Sequence, residues 1–361
     1  MNKLKVFLLS FALLFAIGFA AFAQEEATPT EAVEEEAVAE AVNLDEDIQP
    51  EDLEVSEPRL LPDSPFYFLK NWGRTIQSVF TLNPVKKAEL RLKFANEKLM
   101  EAKKIVEKTD NPEIIAKVTE NYQEEVEKIK SQVEKIKEKA KDNPEVDKFL
   151  NKFIDQQTLH QKLLQKLETQ VPAEAFEKIK AAREAHLEKF QEVMLKLEDR
   201  VDKITEKLDK TLEEQKGSQF KDFKNLEVLK NLEEKVPEEA KEAIRRAREN
   251  ALKRLKGNLE QMSPENQEKF KEYIEGISGE KETQLEILED LKSEMKETPK
   301  VLEKIEEGEI KMLEKIEGKL ERLNCPPWWP TEPGFCKDGR IIILKDKNGC
   351  PIPPKCIQLG K

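Results

Sequence analysis

The scarce reactive side chains of this 361-residue chain are two histidines, four cysteines and three tryptophans. His160 and His186 are the only imidazoles. A carboxylate-bridged metal site between helices would place a glutamate three residues ahead of each histidine. Gln157 and Arg183 stand there instead, so the two read as partly buried structural histidines. The sequence has no glycine-rich phosphate loop, no nucleophile elbow and no His-Glu-x-x-His run. Its many glutamates alternate with lysine on solvated faces, where no desolvated pocket moves a carboxyl group toward acid–base work. The reading is a protein that is not an enzyme and uses no cofactor and no metal.

Cys325, Cys336, Cys350 and Cys356 cluster at the C-terminal end. In an exported chain that clustering reads as two disulfides in a small module. Gaps of ten, thirteen and five residues lack the close pairs of a four-cysteine zinc site. The run from Arg340 to Lys345 is the strongest strand signal, and Asp346-Lys-Asn-Gly349 reads as a hairpin turn. Its Asp-x-Asn-Gly fragment is similar to part of a calcium loop, but Leu344 and Lys355 occupy the key ligand positions. Setting Lys345 opposite Cys350 puts position 339 opposite Cys356. That favours the pairs Cys336–Cys356 and Cys325–Cys350, while the neighbour pairs Cys325–Cys336 and Cys350–Cys356 close shorter loops and stay open. Trp328 and Trp329, flanked by prolines, either cover this hairpin or present flat rings to a glycan or a proline-rich peptide.

Helices must position everything before that module. Pro84, Pro112, Pro144, Pro172, Pro237, Pro264 and Pro299 each open a charged run rich in leucine and isoleucine. Asn83, Asn111, Asn143, Ser263 and Thr298 precede five of them and can cap the first turn, where proline loses only an amide that has no partner. The pattern predicts helices over 84–108, 112–141, 144–170, 172–215, 219–235, 237–262, 264–276, 280–297 and 299–323. Segment 160–197 is echoed at 225–262, each with a Val-Pro-x-Glu-Ala junction, so one helix-Pro-helix hairpin occurs twice. Short connections make neighbouring helices antiparallel. Phe190, Met194, Leu197, Val201, Ile204 and Leu208 alternate spacings of three and four. This is a coiled-coil seam on a run that would extend ~60 Å and along which a second copy can pair.

The N-terminus has the pattern of a secretory signal peptide, residues 1–23. Lys3 and Lys5 precede an apolar stretch, and Ala21-Phe22-Ala23 forms a cleavage site; the rival reading is an uncleaved membrane anchor. Residues 24–58 hold acidic side chains and no basic ones, and read as a disordered tether. Leader and tether together account for the net charge of −12, so the rest is balanced and offers no basic footprint for nucleic acid.

Between positions 60 and 100, Leu61-Pro-Asp-Ser-Pro-Phe-Tyr-Phe-Leu-Lys, then Asn83-Pro-Val-Lys-Lys-Ala-Glu-Leu-Arg-Leu and Ala95-Asn-Glu-Lys-Leu, resemble the bacterial domain of unknown function 5667. The likeness extends to about residue 170 and implies an exported helical domain with no activity to carry over. Gly73 and Arg74 depart from it where an acidic helix former is usual, and Asn83 departs where Asp is usual. Phe66, Phe68, Leu69, Trp72, Ile76, Val79 and Phe80 form the most aromatic patch before the C-terminus and are expected in the core.

The expected architecture is all-α: elongated antiparallel helical hairpins with coiled-coil-like segments, ending in a small disulfide-stapled β-hairpin module. Its parts are a helical domain over 59–170, long hairpins over 171–323 and the cysteine-rich module over 324–361. The expected role is a non-enzymatic scaffold, spacer or interaction protein of the cell envelope, exported to the periplasm, cell surface or medium. The alternative is a glycan- or peptide-binding protein using Trp328 and Trp329. The expected partners are an envelope protein or a glycan, no nucleic acid, and a membrane only through the leader.

Overall fold

The computed structural model describes residues 29–137, 143–198, 201–236, 238–295, 299–322, 339–342 and 355–358. The described residues are helical apart from loops and two short strands. The helices are α1 (Pro29–Glu46), α2 (Tyr67–Phe80), α3 (Pro84–Lys108), α4 (Pro112–Val133), α5 (Pro144–Gln170) and α6 (Ala173–Leu197). They continue as α7 (Val201–Glu214), α8 (Lys221–Lys235), α9 (Glu238–Gln261), α10 (Pro264–Gly276), α11 (Lys281–Glu294) and α12 (Pro299–Arg322). Strands β1 (Gly339–Ile342) and β2 (Lys355–Gln358) pair antiparallel.

Proline starts behave as their chemistry requires. The Asn83 side chain accepts from the Val85 and Lys86 amides, Asn111 from Glu113 and Ile114, Asn143 from Glu145, and Ser263 from Asn266. Each replaces an orphan donor's missing partner in the first turn. Consecutive helices then fold back on one another, α3 on α4, α5 on α6 and α8 on α9. The last two pairs are the echoed hairpins. Helix α6 also packs on α4, so the helical body is continuous across residue 170.

The long run after Pro172 is two helices. Glu198 adopts an extended conformation (φ −136°, ψ 112°), and α7 leaves to pack on α9 and α5. A single ~60 Å rod is therefore absent. The seam expected to recruit a second copy is used within the chain: Phe190, Met194, Leu197, Ile204 and Leu208 are all buried. Phe190 meets the Phe153 ring edge-on at 5.7 Å. The seam residues have no free face to offer a second copy, and the Val201 side chain lies outside the described residues.

The acidic stretch departs furthest from its sequence reading. Residues 36–58 are not a disordered tether; α1 continues into a loop that straps the helical body. Val38, Ile48, Leu53 and Val55 are buried in the main core, and specific donors receive the carboxylates. Asp45 accepts at Oδ1 from the Ser218 amide (2.7 Å) and at Oδ2 from the Ser218 hydroxyl (2.8 Å) and the Tyr273 hydroxyl (2.7 Å). Glu46 accepts from the Ser278 amide at 2.6 Å, and Asp47 from Lys103 at 2.7 Å. A β-carbon at Gly217 would stand 2.7 Å from Asp45 Oδ1, so the glycine that ends the α7 segment also admits this carboxylate. Near Ser278, Gly279 takes φ +129°, and a side chain there would strike the buried Glu227 carboxylate. Charged groups seated this way exchange water for fixed donors, which is the condition for burying them.

In the strand pair, Ile341 faces Cys356 and Gly339 faces Gln358. Cys356 thus sits two residues further along than the tight turn at 346–349 places it. That turn, Cys325, Cys336, Cys350, Trp328 and Trp329 lie outside the described residues.

Candidate functional site: the outward face of α2

The expectation that α2 is buried by its aromatic patch is overturned. Phe66, Phe68, Leu69, Trp72, Ile76, Val79, Phe80 and Leu82 are all exposed, Trp72 by 66% and Phe80 by 79%. Phe68, Trp72, Ile76 and Val79 recur every three or four residues, as do Leu69, Trp72, Ile76 and Phe80, so they make one apolar stripe along the helix.

Tyr67, Arg74 and Ser78 form the other side, and these are the helix's buried residues. Arg74 Nη2 donates to Glu101 Oε1 at 2.6 Å and to Glu97 Oε2 at 2.8 Å, while Arg74 Nη1 donates to the Tyr67 hydroxyl at 3.1 Å. Tyr67 donates in turn to Glu101, and Lys70 stands 2.7 Å from the same carboxylate. Further along, Arg91 donates to the Ser78 hydroxyl at 2.6 Å. The Phe94 ring of α3 has both guanidiniums over it, Arg74 at 5.8 Å and Arg91 at 5.9 Å from its centroid, where its π-face favours cations. Burial opposes the Arg74 charge, but Glu101 and Glu97 outweigh it and raise its pKa further. Burial and the neighbouring Glu101 carboxylate raise the Tyr67 hydroxyl too. An amphipathic helix ordinarily seats its apolar side. Here a charge-assisted latch seats the polar side, and the apolar side faces out.

Sequence reasoning found these apolar residues and assigned them the wrong direction. The signal that points the right way is on the next helix. Glu97 and Glu101 are four apart on α3, opposite Lys70 and Arg74, four apart on α2.

The histidines come together in the interior. His160 and His186 are fully buried with ring centroids 5.6 Å apart. His160 Nε2 donates to Asn96 Oδ1 at 2.8 Å, and its Nδ1 accepts from the Tyr122 hydroxyl at 3.0 Å. His186 Nε2 donates to Gln157 Oε1 at 2.5 Å, and its Nδ1 accepts from Gln161. Every partner suits a neutral ring protonated at Nε2. Burial lowers His160 well below the usual range, the neighbouring His186 adding to it, and burial lowers His186 to about 3. Asn96 closes the network against the strap by donating to the Leu53 carbonyl at 2.8 Å. The arrangement is a satisfied polar core that ties α3, α4, α5, α6 and the strap together.

An open groove of about 1630 Å³ runs between α1 and α7, lined mainly by carboxylates and lysines such as Asp47, Asp52, Lys207 and Lys210. Among the described residues no group of His, Cys, Asp and Glu converges as metal ligands, and no helix is long and apolar enough to cross a membrane.

No curated protein and no solved structure matches the chain. A family model does, from residue 59 to residue 239, half of the chain and well past the helices in which the likeness was first legible. That span takes in α2, its latch on α3 and both histidines, and the chain belongs to the family described as domain of unknown function DUF5667.

Proposed function

We propose that this protein is a non-enzymatic, exported helical scaffold of the cell envelope, and that it engages an envelope component through the outward face of α2. The seating of that helix carries the reading. The ion-pair latch from Arg74 to Glu97 and Glu101 leaves Trp72, Ile76, Val79 and Phe80 in water, and a contiguous apolar stripe on a monomer's surface marks an interaction site. The leader pattern before Gln24 supports export. Cysteines confined to the C-terminal end support an oxidising destination, in which two disulfides among Cys325, Cys336, Cys350 and Cys356 staple the β1–β2 module. The strap and body then act as a rigid mount that fixes where the α2 face points.

Expression in a bacterial host tests both halves of the reading. The chain should appear in the exported and envelope-bound fractions, and Trp72→Ser with Phe80→Ser should release it from the envelope with its melting temperature unchanged. Equal envelope retention of the two forms would remove α2 from the reading. Recovery of both in the cytosol would remove export.

A further inference from the structure

Resting on α2 as the working face, we propose that its occupant is the anionic surface of a lipid bilayer, with α2 lying in the headgroup region parallel to the membrane. Charge is the first argument. The chain carries a net −12, yet no acidic residue occurs between Ser64 and Ala88, where Lys70, Arg74, Lys86 and Lys87 are basic. Lys70 and Arg74 are neutralised on their inner side by Glu101 and Glu97. Lys86 is exposed and Lys87 half-buried, and among the described residues neither forms an ion pair. Both open α3 just after the exposed Leu82, so the apolar stripe ends beside two available ammonium groups. Aromatic and aliphatic side chains flanked by lysine are the arrangement that binds an interfacial helix to anionic lipid.

Shape and length narrow the choice further. Asn71, Trp72 and Gly73 are exposed in succession, as are Thr75, Ile76 and Gln77, so α2 stands as a ridge that touches the body only through every third or fourth residue. A second copy docking on the same face by two-fold symmetry would set ridge against ridge. A bilayer accepts a ridge without needing a matching groove. Fourteen residues at 1.5 Å each extend about 21 Å, short of the ~30 Å hydrocarbon core. With its inner side latched to α3, the helix lies on the membrane and does not span it.

The test uses the chain from Gln24 onward, which retains every described residue, with Trp328→Phe and Trp329→Phe so that Trp72 is its only tryptophan. The probes are vesicles of phosphatidylcholine with and without roughly one quarter phosphatidylglycerol. Trp72 emission should shift to the blue on the anionic vesicles and be quenched by brominated acyl chains. Phe68→Ser with Phe80→Ser should lower partitioning at least about tenfold. Lys86→Glu with Lys87→Glu should do likewise on anionic vesicles and erase their advantage over pure phosphatidylcholine. No Trp72 shift in a protein that melts normally would overturn the proposal, as would undiminished partitioning of the Phe68/Phe80 variant. If envelope retention still depends on α2 while vesicles are not bound, the lipid assignment falls and the docking face stands. A lipid-free dimer that the same serine substitutions dissociate would assign the face to a second copy and overturn the lipid proposal.

Discussion

Residues 36–58 and residues 66–82 both lean on α3, and they invert what their compositions suggest. The first is rich in carboxylates, yet it buries Leu53 completely and seats Asp45 and Glu46 at 1% and 4% exposure. The second is the richest in large apolar side chains before the C-terminus, yet it turns them outward and docks through Tyr67, Arg74 and Ser78. The difference lies in what the body supplies. Against the strap stand Ser218, Tyr273, Ser278, Lys103 and Asn96, each able to donate where an acceptor arrives. Against α2 stand the carboxylates of Glu97 and Glu101, a socket for cations and not for rings. Whether a segment is buried depends on matched partners as well as on its own hydrophobicity.

The largest effect expected is loss of the strap. A chain that starts at Arg59 gives up the buried Val38, Ile48, Leu53 and Val55 side chains and should lose at least about 5 kcal/mol, or cooperative unfolding altogether. A single substitution isolates the clamp. Asp45→Ala removes the shared acceptor of Tyr273 and Ser218 and should cost about 3 kcal/mol. Urea midpoints of the full-length forms decide this, and equal midpoints would return residues 24–58 to the status of a tether.

The corresponding change on the other region is Arg74→Met. It keeps much of the side chain's apolar bulk but strips Glu101, 1% exposed, of one of its cations, leaving Lys70 and the Tyr67 hydroxyl. The expected cost is about 2 kcal/mol, since a partly compensated buried carboxylate is less costly than a bare one. Hydrogen exchange should show the loss concentrated in α2. A uniform loss of protection across α3 and α4 would mean the latch supports the core and not one helix.

Acid exposes the histidine network that the strap closes. An unfolded imidazole takes its proton near pH 6.5, whereas the buried His186 ring resists it down to about 3. Between those values the unfolded state binds more protons. Stability is therefore full above pH 6.5 and falls as pH drops below it, by about 1.4 kcal/mol per pH unit for each such ring. His186→Gln retains an acceptor for Gln161 and a donor for Gln157 and removes the titration. Its stability should fall more gently between pH 6.5 and 5, by about that one ring's share. Identical slopes would show that His186 accepts its proton within the fold.

How much of this was legible follows from where each signal resides. The starts of α3, α4, α5, α10 and α12 were read to the residue, because a proline at the first position and a capping side chain before it act within a few residues. The break at Glu198 left no such mark. Leu197 to Val201 contains neither proline nor glycine, and the break marks where the chain leaves α4, on which α6 packs, for α9, on which α7 packs. The strap was unreadable for a related reason: Asp45 finds Tyr273 at a separation of 228 residues, and composition alone says only that the stretch is acidic. The histidine network was not read, although Gln157 and Gln161, one turn apart on α5, both partner the His186 ring and Gln157 also reaches His160. For α2 the stripe was legible and its direction was not. A core stripe and a surface stripe have the same spacing, and the difference lies in the charges of the neighbour.

The smallest effect is expected where composition would forecast the largest. Trp72→Ser removes the largest apolar side chain of α2, and in a buried position that loss would cost about 3 kcal/mol or more. Trp72 is 66% exposed, a β-carbon at neighbouring Gly73 would find nothing within 4 Å, and the latch at Arg74 lies on the opposite side of the helix. The unfolded chain exposes the tryptophan as well, so little surface changes its environment on folding. Trp72→Ser and Ile76→Ser should each shift stability by less than about 0.5 kcal/mol, with a slight gain in solubility from the shrunken patch. Thermal melts at low protein concentration, repeated tenfold more concentrated, make the check decisive. A loss above about 1 kcal/mol at both concentrations would mean that α2 packs through its aromatic side in solution, and the contrast with the strap would collapse. A loss that appears only when the protein is concentrated would mean that the face is already covered by another copy.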